Sequence, residues 1–241
     1  MLIRLTISSF SMRHMLIATA LILAVLLLGA GCLGSTPDTG TETPTLTPTP
    51  TTPAAAESVL SGTGNATRSV DLIGELLLFD MTADGSGPFV VEISGQTIYD
   101  QVVHATAPYS GVQAVGTEEN GTYQVNVTAD GDWTISIAEP PQERAQEIPF
   151  TFSGAGDSVS TWIDLPEGNV TFSASCDGGE VFWVWLYNTS GAIIMDPTNT
   201  YVQPFHYEHC PFSGNATSTI PEAGNYLLNI NSRGNWSISI S

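Results

Sequence analysis

The sequence contains no lysine, and its five arginines stand against 24 acidic residues, which gives a formal net charge of −19 at pH 7. All of the acidic residues follow Cys32, and only Arg68, Arg144 and Arg233 accompany them there. Because so acidic a surface repels phosphate groups, the composition excludes binding to nucleic acid through charge neutralisation. Self-repulsion of this size is tolerated in concentrated salt, where the Debye length falls to roughly 3 Å.

The sequence also lacks the motifs of the common enzyme classes. It has no Gly-x-Ser-x-Gly, no His-Glu-x-x-His and no glycine-rich phosphate loop. His104 has no recognisable partner in the sequence. We therefore predict a non-enzymatic protein that carries no cofactor.

The one long hydrophobic run lies near the N-terminus, from Met15 to Leu28, and Arg13 precedes it. This pattern predicts a signal peptide over residues 1–31. The following Gly29-Ala30-Gly31-Cys32 resembles the lipobox of exported lipoproteins, although Gly29 stands where leucine is usual. Cys32 is therefore the predicted lipidation site. An uncleaved spanning helix is the alternative, and both place the protein on the outer face of the cytoplasmic membrane, at the cell surface.

Residues 32–57 are rich in threonine and proline, and from residue 35 to residue 53 the only sizeable apolar side chain is Leu46. Such a segment cannot bury enough apolar surface to offset the entropy of folding. Repeated Thr-Pro steps favour extended polyproline II geometry. We predict a disordered stalk that separates the membrane anchor from a globular region.

The rest of the chain contains an internal duplication. Tyr123 and Trp133 are ten residues apart, and so are Tyr226 and Trp236. A glycine lies two residues before each of these four aromatic residues, and each tryptophan begins a Trp-x-Ile-x-Ile segment. Matching anchors in the same order indicate one duplicated module.

Each half alternates apolar and polar residues with a period of two, and clusters of Gly, Asn, Asp and Pro interrupt the alternation. The pattern predicts an all-β protein with two tandem β-sandwich domains. We place the domains at residues 58–139 and 148–241, with a linker at 140–147. Each is long enough for a small sandwich.

The predicted strands of each half follow one order: an early Gly-x-Gly strand, a Phe strand around Phe79 or Phe172, a Gly-x-Tyr strand and a closing Gly-x-Trp-x-Ile strand. This order is similar to the jelly-roll-like modules of secreted prokaryotic proteins, of which the pre-peptidase C-terminal type is the best known. The resemblance implies a jelly roll with an accessory, non-catalytic role, sometimes with bound calcium or sugar. The lysine-free, acidic composition resembles that of secreted proteins from salt-loving archaea.

Cys176 and Cys210 remain once Cys32 is assigned to a lipid. Two leftover cysteines in an exported domain usually form a disulfide. His206 and His209 lie in the same segment as Cys210, and with both cysteines they would make a ligand set that zinc accepts. A disulfide excludes a zinc site on the same sulfur atoms, and we favour the disulfide. A metal site on the two histidines alone is the alternative.

The run from Phe182 to Tyr187 alternates in a way that sends Trp183, Trp185 and Tyr187 to one face of a strand. The other face carries the residues that match the core of the first half. An outward aromatic stripe can stack on sugar rings or dock a partner protein. The alternative is that it packs against the other half or under the segment that contains Cys210.

Candidate N-glycosylation sites in Asn-x-Ser/Thr sequences are Asn65, Asn120, Asn169, Asn188 and Asn215. The sequence as a whole predicts a non-enzymatic surface lipoprotein that acts as a binding or structural, adhesive module, with a carbohydrate or a surface protein as partner. A metal-binding surface protein and an accessory subunit of an exported enzyme or transporter are the alternatives. The sequence predicts neither the ligand nor the oligomeric state.

Overall fold

A computed structural model describes residues 57–95, 98–117, 119–179 and 181–241. The predicted signal peptide, Cys32 and the stalk up to residue 56 lie outside the described residues. Every regular element in the described part of the chain is a β-strand, which confirms the all-β prediction. None of these residues belongs to a helix long and apolar enough to cross a bilayer.

The first half contains eight strands arranged in two four-stranded sheets. The strands are β1 (Ser58–Thr63), β2 (Ala66–Leu72), β3 (Leu76–Ala83), β4 (Pro88–Ser94), β5 (Tyr99–Thr106), β6 (Tyr109–Gly116), β7 (Gly121–Thr128) and β8 (Asp132–Ala138). One sheet has the order β1-β8-β3-β6, and the other has the order β2-β7-β4-β5. This arrangement is a jelly-roll sandwich.

The second half repeats this topology with small additions. Its strands are β9 (Gln146–Glu147), β10 (Phe150–Ala155), β11 (Ser158–Val159), β12 (Ile163–Leu165), β13 (Gly168–Cys176), β14 (Phe182–Asn188), β15 (Phe205–Glu208), β16 (Phe212–Ile220), β17 (Gly224–Asn231) and β18 (Asn235–Ile240). One sheet has the order β10-β18-β13-β16. The other has the order β15-β14-β17-β12-β9, and β11 also pairs with β17. The domain boundaries drawn from the sequence stay a prediction.

The duplicated glycines and tryptophans occupy equivalent places in the two halves. Gly62 pairs with Trp133 between β1 and β8, and Gly154 pairs with Trp236 between β10 and β18. A Cβ atom would lie 2.6 Å from the Trp133 ring at Gly62, and 2.5 Å from the Trp236 ring at Gly154. Glycine at both positions therefore lets the indole lie flat against the neighbouring strand.

Each half has its own apolar core between its two sheets. In the first half the fully buried side chains include Phe79, Phe89 and Ile135, and in the second they include Phe172 and Phe182. Because apolar residues recur at every second position of these strands, their side chains all reach the same interior. Burial of this apolar surface is the main force that holds each sandwich together.

The two halves pack against each other through a third apolar cluster. Its buried members come from both halves and are Leu76, Ala114, Trp162, Tyr187 and Leu227. Both halves belong to one compact unit. The junction between them is therefore a packed surface, and a groove lined by residues of both halves lies at its edge.

Candidate functional site

A groove runs along the junction between the two sandwiches. One wall is the stretch of β5 from Gln101 to His104, and the opposite wall includes Trp183 of β14 and Asn231 of β17. A cavity of about 310 Å³ adjoins a second cavity of about 180 Å³, and Gln101, Val102, Trp183 and Asn231 line both. We call this continuous feature the central groove.

The aromatic stripe of β14 faces this groove and the junction. Phe182, Val184 and Leu186 point into the core and are fully buried. On the other face Trp183 and Trp185 are half-buried, and both line the groove.

The three residues of the stripe differ in what they contact. Trp183 makes an edge-to-face contact with Tyr207 at a centroid distance of 4.4 Å, and Trp185 makes one with Tyr201 at 5.8 Å. Tyr187 is buried in the apolar cluster between the halves, although it also lines the second cavity. Tyr187 is thus buried in the apolar cluster between the halves and Trp185 packs against that cluster, while Trp183 and Trp185 both line the groove. The use of this face for binding stays a prediction.

Amide side chains form the floor of the groove and join the two halves. Gln113 of β6 is 3% exposed, and its Oε1 accepts hydrogen bonds from Nδ2 of Asn229 at 2.9 Å and Nδ2 of Asn231 at 3.1 Å. Oδ1 of Asn229 accepts the backbone N–H of Ala114 at 3.1 Å. These bonds fix the amide planes relative to both sandwiches.

Two buried donors, each on a residue that lines the groove, have no hydrogen-bond partner in the protein. They are Nε2 of Gln113 and Nε1 of Trp183. A buried donor without an acceptor costs about 1–3 kcal/mol, so such groups are rare unless a ligand or water supplies the acceptor. A ligand or water that reached either donor would have to supply an acceptor atom.

Charged groups are concentrated at the end of the groove where Asp157 and Arg233 lie. The carboxylate of Asp157 accepts the Tyr109 hydroxyl at 2.9 Å and the Ser232 backbone N–H at 2.9 Å. Burial raises the pKa of the Asp157 carboxyl, against the opposing effect of these hydrogen bonds and of Arg233. Nη2 of Arg233 donates to the backbone carbonyl of His104 at 2.6 Å.

Asp100 lies at the opposite end, among the residues that line the second cavity. Desolvation raises the pKa of the Asp100 carboxyl. Burial also raises the pKa of the nearby Tyr187 hydroxyl, with a smaller contribution from the charge of Asp100. The hydroxyl of Tyr187 therefore stays protonated at neutral pH and can act as a hydrogen-bond donor.

The strand edge that borders the groove is irregular. β5 is the outermost strand of its sheet, and its pairing with β4 shifts register because Val91 faces Val103 while Glu92 faces Gln101. Val102 is thus the extra residue of a β-bulge. Bulges on edge strands interrupt the ladder that an added strand would need.

The two remaining cysteines are joined as the sequence predicts. Cys176 at the end of β13 and Cys210 after β15 form a disulfide, with Cα atoms 5.6 Å apart. Their sulfur atoms are therefore not available to zinc. Nδ1 of His206 lies 2.5 Å from Oε1 of Gln203. Across the described residues no group of three or more His, Cys, Asp or Glu side chains is arranged to hold a metal ion, and the two-histidine site stays a prediction.

Four of the five candidate glycosylation residues are exposed, and Asn188 is half-buried. The side-chain oxygen of Asn65 accepts the Ala129 N–H, and that of Asn120 accepts the Gly74 N–H. Asn169 accepts from the Thr219 hydroxyl, while Asn188 caps the turn that follows β14. Glycan attachment at any of these residues, Asn215 included, stays a prediction.

The amide residues Gln113, Asn229 and Asn231 were not predicted from the sequence to belong to a site. A signal was present, because Gln113 interrupts the apolar run of β6 and Asn229 interrupts that of β17. A polar residue inside an apolar strand usually has a specific partner. The identity of that partner depends on how the two halves meet, which the sequence pattern does not specify.

No protein-family model matches the sequence, and no curated protein matches it. Among solved structures, the exported protein XepA of PBSX is similar over 78% of this chain and 85% of its own, at 12% identity and a TM-score of 0.24. A cupin 2 conserved barrel domain protein from Leptotrichia buccalis covers 79% and 84%, at 8% identity and a TM-score of 0.25. The tandem CBM22-1–CBM22-2 domain of Paenibacillus barcinonensis Xyn10C covers 79% and 99%, at 13% identity and a TM-score of 0.23. Likenesses at such TM-scores carry no argument about function.

Proposed function

We propose that this protein is a non-enzymatic binding module of the cell surface and that its ligand occupies the central groove. The observation that carries the proposal is the pair of buried donors without partners, Nε2 of Gln113 and Nε1 of Trp183, in a groove of this size. Binding pockets for small ligands are concave, a few hundred Å³ in volume and lined by apolar or aromatic surface with a few fixed polar groups. The central groove is concave, its two cavities measure about 310 and 180 Å³, and it combines the aromatic side chains of Trp183 and Trp185 with the fixed amides of Gln113 and Asn229.

Asp157 is the carboxylate of the groove that most resembles a catalytic group, and in this proposal its role is structural. Asp157 is buried and lines the groove, and each of its oxygens accepts one hydrogen bond, from the Tyr109 hydroxyl and from the Ser232 N–H. A nucleophile or general base must keep an oxygen within reach of the substrate. In this proposal the two bonds give Asp157 the role of joining the two halves, since Tyr109 lies in the first half and Ser232 in the second.

The proposal includes the membrane anchor at Cys32, which rests on the sequence alone. A lipid on Cys32 and the stalk of residues 32–57 would hold the groove at a distance from the membrane. We expect Cys32→Ser to release the chain from the membrane fraction, and mass spectrometry of the wild-type N-terminal peptide should find a lipid on the cysteine. Retention of the Cys32→Ser chain on membranes, with an intact hydrophobic N-terminus, would favour the spanning helix instead.

The groove itself is tested without assuming a ligand class. Full-length protein in detergent is screened by saturation-transfer NMR against small fragments that include polyols, amides, carboxylates and aromatic heterocycles. We expect hits that disappear in Trp183→Ala and persist in Tyr99→Ala, an exposed aromatic residue of β5 that does not line the groove. Circular dichroism confirms that both variants are folded. An absence of hits, or hits that survive Trp183→Ala, would contradict the proposal.

A further inference from the structure

We propose that the ligand of the central groove is a carbohydrate chain. This inference rests on the proposed function and adds the chemical class of the ligand. It is carried by three features of the groove: its amide-rich lining, its half-buried indole rings and the irregular strand edge along its side.

The polar lining of the groove matches hydroxyl groups. The side chains of Gln101, Gln113, Asn229 and Asn231 all line it. A primary amide offers donors and an acceptor in one plane, and a sugar hydroxyl is likewise both a donor and an acceptor. Nε2 of Gln113 and Nε1 of Trp183 are both donors without a partner in the protein, so a ligand that reached them would have to present two acceptor oxygens. Neighbouring hydroxyls or ring and hydroxyl oxygens of a sugar provide such a pair.

The aromatic residues provide the apolar part of the site. Trp183 lines both cavities, and its indole is half-buried. Its edge-to-face contact with Tyr207 holds the ring in place. Trp185 continues the same face into the second cavity, supported by Tyr201. An amphipathic ring of this kind packs against an apolar surface while its polar tip makes a hydrogen bond. The C–H face of a pyranose fits such a surface, and two indoles in line suit successive sugar units.

An extended peptide fits the groove less well. Peptides bind beside a sheet by adding a strand to an open edge. Here the edge is β5, whose ladder is broken by the bulge at Val102, and whose His104 carbonyl already accepts a hydrogen bond from Arg233. The groove therefore lacks the regular row of free backbone groups that gives strand addition its affinity.

Charge also separates carbohydrate from anionic polymers. The whole chain carries a net charge of −19, and both Asp100 and Asp157 line the groove. Arg233 and His104 are the basic side chains among the lining residues of the first cavity. A highly charged anion would be repelled before it reached them. Hydrogen bonding and stacking to a mostly uncharged chain need no such attraction and are retained in concentrated salt, where charge interactions are screened.

The experiment compares carbohydrates with peptides on the same protein. Full-length protein in detergent is applied, at about 0.1 M and about 1 M salt, to an array of neutral and acidic oligosaccharides and to an array of unstructured peptides. We expect carbohydrate binding that persists at the higher salt concentration. Trp183→Ala should weaken it at least tenfold, and Trp183→Phe, which keeps a ring but removes the donor, about two- to tenfold, the value of one hydrogen bond.

Two variants outside the groove serve as controls for this experiment. Tyr99→Ala and Arg68→Ala change an exposed aromatic residue and an exposed arginine outside the groove, and both should bind as the wild type does. Binding of peptides that depends on Trp183 would overturn the carbohydrate assignment and leave the proposed function standing. Carbohydrate binding that is unaffected by both Trp183 variants, or none at all when fragments do occupy the groove, would also overturn it. A failure of the fragment screen itself refutes the proposed function instead.

Discussion

At the scale of single residues, Asp157 shows how one buried charge is tolerated at the junction. It comes from the turn before β11 and accepts hydrogen bonds from Tyr109 in the first half and Ser232 in the second. Arg233 lies near enough to stabilise the ionised form, yet burial outweighs these effects and the net shift in the pKa of Asp157 is upward. The carboxylate therefore orients the two halves at the cost of its own desolvation.

This upward shift gives a pH dependence of known sign. Because the folded-state pKa exceeds the unfolded value of about 3.9, the native state binds the proton more tightly. The contribution of the Asp157 carboxyl to stability is therefore full below about pH 3.9 and is lost as the pH rises through its folded-state pKa. We expect Asp157→Asn, which cannot ionise, to gain stability relative to the wild type as the pH rises from about 4 to 7.

Urea unfolding of the wild type and of Asp157→Asn between about pH 4 and pH 7, at constant salt concentration, tests this pH dependence. Asp157→Ala serves as the companion variant, because it cannot ionise either but leaves the Tyr109 hydroxyl and the Ser232 N–H without an acceptor. It should therefore be about 1–3 kcal/mol less stable than Asp157→Asn at any pH. A stability difference between wild type and Asp157→Asn that does not change with pH would show that the carboxyl titrates normally.

The paired glycines allow a second test at this scale. A Cβ at Gly154 would lie 2.5 Å from the Trp236 ring, whereas a Cβ at Gly121 would have no atom within 4 Å. We expect Gly154→Ala to lower the free energy of unfolding by about 1–3 kcal/mol, the usual cost of overpacking. Gly121→Ala should leave stability unchanged or raise it by up to about 1 kcal/mol. Equal effects of the two substitutions in urea unfolding would refute the close-packing argument.

At the scale of strands, the disulfide ties the longest irregular segment of the described residues to the second sandwich. The chain between β14 and β15 contains the isolated bridges Tyr187–Ile193 and Met195–Tyr201 in place of a regular strand. Cys210 closes this segment onto Cys176 across a separation of 34 residues. Tyr201 and Tyr207, which contact the groove tryptophans, both lie in the part that the disulfide restrains.

We expect the double variant Cys176→Ser/Cys210→Ser to lose roughly 3–4 kcal/mol of stability, the chain-entropy estimate for a loop of this length. The measurement is urea unfolding, with and without a reducing agent. Reduction should lower the stability of the wild type toward that of the variant and leave the variant unchanged. If the fully reduced wild type is as stable as the oxidised wild type, the disulfide does not stabilise the protein as argued.

The strands were predictable from the sequence because burial on one face imposes a period of two. Phe182, Val184 and Leu186 alternate with Trp183 and Trp185, and the core lies where that alternation places it. The Gly-x-Tyr and Gly-x-Trp repeats indicated the duplication for a similar reason, since each Trp ring needs a glycine across the strand pair. These features are local or depend on one neighbouring strand.

The groove was not predictable in the same way. The pattern offered two outcomes for the stripe, and the structure divides it, with Tyr187 in the apolar cluster and Trp183 beside the groove. Gln113 and Asn229 are 116 residues apart in the chain, and their hydrogen bond exists only because the halves meet at one particular angle. Period-two alternation contains no information about that angle.

At the scale of the whole molecule, the junction couples two sandwiches that have separate cores. The coupling has an apolar part around Tyr187 and Leu227 and a polar part in which Asn229 makes two bonds to the first half. Buried amide pairs of this kind are costly if one partner is lost, because the remaining groups stay buried without hydrogen bonds. Asn229 is therefore the residue whose removal best tests whether the halves depend on each other.

We expect Asn229→Ala to destabilise the protein by about 1–3 kcal/mol, because it leaves the Ala114 N–H without an acceptor. Asn225→Ala, an exposed position on the same strand, is the control and should have little effect. Hydrogen exchange with mass spectrometry separates the two halves, since β3 and β13 yield different peptides. If the junction couples the halves, Asn229→Ala accelerates exchange in both strands. Faster exchange in β13 alone would mean that the two sandwiches unfold independently. The junction that forms the groove would then contribute little to the stability of the first half.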